Sequence, residues 1–293
     1  MISRRGLIGS AAASAWATGA AHAAAPKSPA ERGAPRVGLA LGAGGARGFA
    51  HIGVLKALDQ AGIEASVVVG ASAGALVGVF YAAGFTPWQM EEVAMKVREI
   101  DVADMGSSKR GLLAGDALQK LVTRFVGGEP LERMKRRYAA VATDLASGEI
   151  AVLRSGDAGR AVRASCSIPG VFVPCEINGR EYVDGGLVSP LPVQQARDLG
   201  ADFVLAVDVG AKPHNAVAQG LYEVMLQSFE IMGRTLAKMQ ARQADALIVP
   251  DTAAYSGSDF SVRRELIQVG YEAAQAALPA IKLALAATRA TRL

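Results

Sequence analysis

The sequence predicts an α/β protein in which helices flank a mostly parallel central sheet. Two observations predict this class. Short runs of aliphatic and β-branched residues alternate with longer stretches whose apolar residues recur at helical spacing, as in parallel sheets joined by crossover helices. The composition is that of an ordinary globular chain, with 51% hydrophobic and 20% charged residues among 293, enough for one large domain with appendages.

The N-terminal segment 1–25 has the layout of an export signal. Arg4 and Arg5 form a short positive segment, a mildly apolar stretch follows, and small residues near Ala23 would allow cleavage. Ser-Arg-Arg is similar to the start of twin-arginine signals, and a disordered cytosolic N-terminus is the alternative. We therefore expect a signal peptide at 1–25, a linker at 26–35, and export to the periplasm or the medium.

Charge and cysteine content restrict the function classes. The formal net charge is only +4, and cleavage of the signal would lower it, so the composition gives no support for nucleic-acid binding. Cys166 and Cys175 could pair in an oxidising compartment or remain buried free thiols. No Cys/His cluster has metal-ligand spacing, and we expect no metal and no other cofactor.

The first predicted strand, 36–41, leads into a glycine-rich turn at 42–48 and a helix over 49–61. Such a turn presents backbone N–H groups to an anion, either a pyrophosphate or the oxyanion of an acyl transfer. A dinucleotide site would need an Asp or Glu at the end of the next strand, 65–69. That strand ends in Gly70-Ala71-Ser72, so dinucleotide binding is a minor alternative.

Ser72 lies between this second strand and a helix predicted over 73–83. Gly70 and Gly74 flank it in a Gly-x-Ser-x-Gly pattern, which is typical of a sharp turn that strains its central residue and exposes the hydroxyl. The pattern alone is weak in a chain with 33 glycines, and an ordinary helix cap is the alternative. The strand–turn–helix context favours a nucleophile.

The rest of the chain continues the alternation of strands and helices. Thr86-Pro87 predicts a capped helix that ends near residue 99. Asp184-Gly185-Gly186 follows a short strand at 180–183. Further helices are expected at 116–125, 160–164, 193–199, 216–243 and 260–287, further strands at 138–143, 149–153, 203–209 and 246–249, and a loop at 165–174.

A serine nucleophile needs a neighbouring base. Of the three histidines, His22 lies in the signal, His51 in the first predicted helix, where packing or capping is commoner, and His214 in a Lys-Pro-His-Asn turn. Only His214 could complete a Ser–His–Asp triad. A carboxylate is the other option, and Asp184, before two glycines, could act as general base with a raised pKa. Asp-Gly-Gly by itself is more often a turn.

Three motifs occur in one order: Gly-Gly-x-Arg-Gly at 44–48, Gly-x-Ser-x-Gly at 70–74, and Asp-Gly-Gly at 184–186. With the stretch 41–55 (Leu-x-x-Gly-Gly-Ala-Arg-Gly-Phe-Ala-His-Ile-Gly-Val-Leu), they make the chain resemble the bacterial branch of the patatin-like phospholipases, which are serine acyl hydrolases. The resemblance implies a patatin-like core at 36–201. A C-terminal strand and helical extension at 202–293 would pack on that core.

The resemblance also implies roles for individual residues. Ser72 would be the nucleophile and Asp184 its proton acceptor. The oxyanion hole would be formed by Gly44, Gly45, Ala46 and Arg47. Supporting glycines of the motifs would be Gly48, Gly70, Gly74, Gly185 and Gly186. The chain departs from the family pattern at Ala43, where the first glycine of the loop is expected, with Gly42 one place early.

The activity implied is that of a lipid acyl hydrolase of phospholipase A or esterase type. Its substrates would be phospholipids or other fatty-acyl esters, and contact with a membrane would be peripheral, since no span is visible after the signal. A non-catalytic acyl-lipid binder or regulator is one alternative. An esterase with a triad based on His214 is the other.

Overall fold

The computed structural model describes residues 34–98, 101–102, 104–106, 108–210 and 220–291. The strands are β1 Val37–Leu41, β2 Val67–Ala71, β3 Gly111–Leu113, β4 Arg137–Asp144, β5 Ile150–Leu153, β6 Gly170–Phe172, β7 Cys175–Ile177, β8 Arg180–Asp184, β9 Phe203–Val207 and β10 Ala246–Ile248. The helices are α1 Phe49–Gln60, α2 Ala73–Ala83, α3 Pro87–Lys96, α4 Asp116–Phe125, α5 Ala158–Ser165, α6 Val193–Asp198, α7 Leu221–Ala241 and α8 Arg263–Ala290.

The central sheet has the strand order β10-β9-β1-β2-β4-β8-β7, with β5 paired to β4 outside this path. The pairs from β10 to β4 are parallel, and the pairs that β4 makes with β5 and β8, and β8 with β7, are antiparallel. Helices cover the sheet, so the predicted α/β class with a mostly parallel sheet is confirmed. β3 and β6 form a separate two-stranded sheet.

Alternate residues of the central strands point to opposite faces of the sheet. Leu39, Val68 and Leu205 belong to a large core that also contains apolar residues of α1, α2 and α8. Their neighbours Ala40 and Val69 belong to a smaller core on the other face, together with residues of α6 and α7. Because both faces are covered, these strands are apolar throughout, as buried parallel strands are.

Strand β4 changes its partner along one edge. Its other edge pairs with β5 over Ala140–Thr143. On the first edge, β2 pairs with β4 as far as Ala71 opposite Val141, and β8 takes over with Asp184 opposite Ala142. The ends of β2 and β8 therefore occupy consecutive positions on β4. This junction brings the residues that follow β2 next to Asp184.

Several local predictions match the structure closely. Helix α2 has the predicted bounds and ends at Gly84, whose φ of 103° lies in the left-handed region. Thr86 caps α3 with a reciprocal capping box to Gln89. The predicted loop at 165–174 differs, since it contains β6, and β7 also went unpredicted. Both strands have only three residues, too few for periodicity to show. β6 pairs with the distant β3, whereas β7 forms a hairpin with β8 through Asn178-Gly179, a turn signal that the prediction did not use.

The division at residue 201 does not coincide with a break in the sheet. β9 pairs with β1 along its whole length and lies between β1 and β10. On the far side, α8 crosses α1 in close backbone contact, because a Cβ on Gly53 or Gly270 would overlap the opposing helix. The C-terminal stretch therefore supplies two strands of the central sheet, β9 and β10, and a helix that packs on α1.

Parts of the sequence-based predictions fall on segments that the structure leaves undescribed. The predicted signal peptide at 1–25, most of the linker and His214 lie outside the described residues. Within the described ranges, no helix combines the length and the apolar character needed to cross a membrane.

Candidate active site

The turn between β2 and α2 holds Ser72 in a strained conformation. Its φ of 51° and ψ of −121° are rare for a residue with a side chain, and the residue is buried. Glycines make the turn possible: a Cβ on Gly70 would overlap the backbone of Gly74, and one on Gly74 would overlap the carbonyl of Leu41. The strained strand–turn–helix corner expected from the sequence is present, but Ser72 is buried, whereas the pattern predicted an exposed hydroxyl.

A short segment, 165–167, supports this corner from the far side, and sequence reasoning missed it. The backbone N–H of Ser72 donates to Ser165 Oγ at 2.9 Å, and the same hydroxyl donates to the carbonyl of Val141 at 2.6 Å. Cys166 Sγ donates to the carbonyl of Ser72 at 3.2 Å, and Asp184 N–H donates to the carbonyl of Ser167 at 2.9 Å. The segment thus joins the backbones of Ser72 and Asp184.

Asp184 is buried at the end of β8. Its Oδ1 accepts a hydrogen bond from Gly186 N–H at 2.7 Å, and Thr143 Oγ1 donates to its carbonyl at 2.7 Å. Oδ2 is also buried, and no described group donates a well-aligned hydrogen bond to it. The backbone is therefore fixed while one carboxylate oxygen keeps its acceptor capacity.

Burial raises the pKa of Asp184 to about 6, and the Ser72 hydroxyl and Gly186 N–H act against burial by stabilising the carboxylate. The hydroxyl and the carboxylate are thus neighbours, although no well-aligned hydrogen bond joins them. Catalytic hydrogen bonds are often long or misaligned before substrate binds. A carboxylate with this pKa can accept a proton near neutral pH.

The glycine loop is the turn 42–48 between β1 and α1, and it offers fewer amides than expected. Ala46 N–H donates to the carbonyl of Gly257 at 2.7 Å, and Arg47 N–H donates to that of Gly44 at 3.2 Å. Nothing in the described part of the chain accepts from the amides of Gly44 and Gly45. Of the four predicted oxyanion donors, the structure leaves these two available. Ala46 is engaged by a carbonyl far away in sequence, which local motifs could not reveal.

His51 holds the start of the glycine loop. Its Nε2 lies 2.9 Å from the carbonyl of Gly42, and the imidazole is fully buried. Burial lowers the pKa of His51 to about 4, so the ring is neutral at physiological pH and Nε2–H is the donor. This is the packing and capping role that the sequence favoured.

The side chain of Arg47 turns inward and is held by the C-terminal region. Its guanidinium forms an ion pair with Glu230 of α7 at 2.5 Å and contacts the carbonyl of Tyr255 at 3.4 Å. Further along the same helix, a Cβ on Gly233 would lie 3.6 Å from the carbonyl of Gly186. Helix α7 therefore borders both the glycine loop and the Asp-Gly-Gly turn, and sequence reasoning missed all of these contacts.

The remaining motif glycines sit at close approaches. A Cβ on Gly48 would lie 2.5 Å from that of Ala73, so the glycine loop packs directly on the start of α2. One on Gly185 would overlap the carbonyl of Val141, and one on Gly186 would lie 3.2 Å from the Cβ of Ala43. The departure at Ala43 is thus accommodated beside the Asp-Gly-Gly turn because Gly186 lacks a side chain.

The two cysteines are free and buried, and burial raises the pKa of both thiols. Of the two possibilities left open by the sequence, the structure has the unpaired one. In the described ranges, no group of three His, Cys, Asp or Glu side chains is arranged to hold a metal ion.

Comparisons with known proteins agree with this fold. A family model described as patatin-like phospholipase matches residues 39–197. An uncharacterized NTE family protein of Mycobacterium tuberculosis is 39% identical over 179 residues, which cover 60% of this chain and 49% of that protein. The lysophospholipase NTE1 of Coccidioides immitis is 32% identical over 269 residues, which cover 80% of this chain and 17% of that protein.

The chain thus spans about half the length of the mycobacterial relative and less of the fungal one. Among solved structures, VipD from Legionella pneumophila matches with a TM-score of 0.50 and 14% identity, over 85% of this chain and 67% of that one. At that identity the likeness is one of fold.

Proposed function

This chain belongs to the patatin-like phospholipase family, whose model matches more than half of it, and we propose that it hydrolyses fatty-acyl esters of lipids. Ser72 is the nucleophile and Asp184 the proton acceptor. The observation that carries the proposal is the junction on β4, which sets a strained serine beside a buried carboxylate. The printed name of the fungal relative, a lysophospholipase, supports phospholipids or lysophospholipids as the substrate class.

The reaction begins when Ser72 Oγ attacks the ester carbonyl carbon and its proton passes to Asp184. The N–H groups of Gly44 and Gly45 donate to the oxygen that becomes negative. Collapse of the tetrahedral intermediate breaks the bond to the alcohol, which leaves with the proton from Asp184. A water molecule then gives a proton to Asp184 as its oxygen attacks the acyl carbon of the acyl-serine. Asp184 returns this proton to Ser72 Oγ when the second tetrahedral intermediate collapses, which releases the fatty acid and restores the serine hydroxyl and the carboxylate.

The protonation state of Asp184 sets the pH range of this reaction. The carboxylate must be ionised to accept the proton, and its pKa is about 6. His51 stays neutral throughout, because its pKa is about 4. We therefore expect kcat/KM to rise with pH to half its maximum near pH 6 and then to level off.

The test compares hydrolysis of lysophosphatidylcholine and of a water-soluble short-chain ester by the full chain and its variants. Ser72→Ala and Asp184→Asn should each lose about a thousandfold or more in kcat. Asp208→Asn is the matched control. Like Asp184, Asp208 accepts a hydrogen bond from the N–H of a glycine two residues later (Gly210, 2.9 Å), and burial raises its pKa. This variant should lose less than about tenfold.

His214→Ala separates the remaining alternatives. Full activity in this variant supports the dyad. Loss of activity, together with retention in Asp184→Asn, would assign an esterase triad to His214. A wild-type protein inactive on short and long acyl esters would point to a non-catalytic lipid binder.

We also propose that the protein is exported, on the basis of the layout of residues 1–25. N-terminal sequencing of the protein recovered from the periplasmic fraction tests this, since it should begin near residue 24 or 26. Recovery of the intact chain from the cytosol alone contradicts it.

A further inference from the structure

Helix α7 presents a continuous apolar stripe to solvent along its length. The stripe consists of five side chains that are about half exposed or more: Leu221 (89%), Val224 (49%), Ile231 (50%), Met232 (52%) and Met239 (60%). At 3.6 residues per turn, the five positions fall within an arc of about 100° on one side of the helix. Over these positions the stripe is about 27 Å long at 1.5 Å per residue.

Ser228 and Thr235 are the polar residues within this stripe, and both hydroxyls donate back to the helix backbone. Lys238, seven residues after Ile231, lies at the edge of the stripe and is exposed. Ser228 Oγ donates to the carbonyl of Val224 at 2.7 Å, and Thr235 Oγ1 to that of Ile231 at 3.3 Å. These hydroxyl protons need no water, so the whole stripe can leave water at little cost.

The opposite side of α7 is anchored at the candidate active site. Glu230 pairs with Arg47 of the glycine loop, and Gly233 faces the carbonyl of Gly186. Nearer the C-terminus, Ala237 is buried, and Gln240 accepts a hydrogen bond from Leu191 N–H at 2.9 Å. The stripe is therefore rigidly connected to both halves of the catalytic machinery.

We propose that the α7 stripe docks on a lipid surface and seats the catalytic cleft against it. This inference rests on the proposed function, in which the substrate is an acyl lipid. The five side chains of the stripe together expose a few hundred Å², which is short of the roughly 800 Å² per partner that a stable protein interface buries. An uncharged stripe suits the apolar side of a helix lying in the plane of a membrane interface.

Because the five side chains of the stripe are uncharged and Lys238 lies only at its edge, its binding should depend little on anionic lipids or on low salt. The test is sedimentation of the full chain with vesicles of ether-linked phosphatidylcholine, which have no ester bonds and cannot be hydrolysed. The wild-type protein should bind them at low and at high salt. Ile231→Asp/Met232→Asp should bind at least about tenfold more weakly, since it places two charges in the stripe.

Leu283→Asp on α8 is the matched control, since Leu283 is 74% exposed and lies outside the stripe. It should bind vesicles as the wild type does. Leu221→Asp keeps the test valid if the double variant fails to fold, because Leu221 is the first residue of α7 and is nearly fully exposed. It should also weaken binding.

Equal vesicle binding by the stripe variants and the wild type would overturn the inference. So would a lipid-free dimer, seen by sedimentation velocity, that the same substitutions dissociate, because the stripe would then belong to a second copy of the chain. Hydrolysis of the water-soluble ester separates the two proposals. Its absence in wild type contradicts the catalytic proposal, whereas stripe-independent vesicle binding contradicts only this one.

Discussion

Two neighbouring strand-to-helix turns build the candidate site, and they are held in different ways. The Ser72 turn is fixed by tight contacts with its own glycines and the end of β1, and by Ser165. The glycine loop is fixed by groups from the C-terminal third, chiefly Gly257 and Glu230. The nucleophile therefore sits in a rigid, closely packed corner, whereas the oxyanion donors depend on distant segments. Disturbing the first should cost stability, and disturbing the second should cost mainly rate.

Gly74→Ala should have the largest effect on stability. The new Cβ would overlap the carbonyl of Leu41, and both backbones lie in the core, so neither can move aside. We expect a loss of about 3 kcal/mol or more in the free energy of unfolding, measured by urea denaturation. Gly233→Ala is the control, because its Cβ would make only an ordinary contact at 3.6 Å and alanine favours the helix.

Gly45→Ala sharpens the comparison. Its Cβ would overlap the carbonyl of Gly257, which lies in the segment between β10 and α8. That segment has more freedom to shift than β1, so the loss of stability should be smaller than for Gly74→Ala and the loss of kcat larger. Equal losses of stability would break the proposed difference between the turns.

Asp184→Asn should stabilise the fold while it abolishes hydrolysis. The folded pKa of about 6 lies above the ordinary value of 3.8, so between these pH values the unfolded chain releases a proton that the folded chain keeps. Stability therefore falls as the pH rises through this range, and asparagine removes that loss. We expect a gain of about 2–3 kcal/mol at pH 8 that vanishes near pH 4, measured by thermal unfolding at several pH values.

Asp144→Asn should show the opposite sign. Asp144 ends β4 a few residues away, and hydrogen bonds from Ser147 hold its pKa below the ordinary value, assisted by Arg180. Its ionised form stabilises the fold, so its replacement should lower stability at neutral pH, and the loss should shrink on acidification. If both variants shift stability in the same direction, burial is not what sets the pKa of Asp184.

Glu230→Gln should have the smallest effect on stability and a clear effect on rate. The substitution removes the charge of Glu230 and so weakens the ion pair between α7 and Arg47. Because Glu230 is 43% exposed, water screens this pair, and the loss of stability should be about 1 kcal/mol or less. We expect kcat to fall about tenfold, because the glycine loop loses an external support. Glu92→Gln, in an exposed pair with Lys96, should change neither quantity, and a similar fall in kcat there would contradict this reasoning.

The sequence predicts the Ser72 turn better than its surroundings, and the reason is physical. Small residues at 70 and 74, a strand before them and a helix after them are local signals, and α2 has the predicted bounds. The supports of the glycine loop are long-range contacts. Gly257 acts through its carbonyl, which every residue has, so no residue type at that position could have revealed the contact with Ala46.

The same limit applies to Ser165 and to the C-terminal strands. Ser165 reads as an ordinary helix end, and its role appears only once Val141 and Ser72 are seen on either side of its hydroxyl. β9 was predicted as a strand, but its position beside β1 was not, because pairing between parallel strands leaves no local pattern. The pairing of Ser72 with Asp184 was predicted from the order of the motifs, because no local feature of the sequence indicates that the two residues lie close together.

The exchange of partners along β4 has a consequence for the order of folding. Ser72 reaches Asp184 only when β8 has paired with the end of β4, next to the position where β2 stops. Such pairings between distant segments close large loops, and they form slowly compared with helices. During refolding, ester hydrolysis should therefore recover later than helical circular dichroism. A chain whose β8 is still unpaired has a serine without a base.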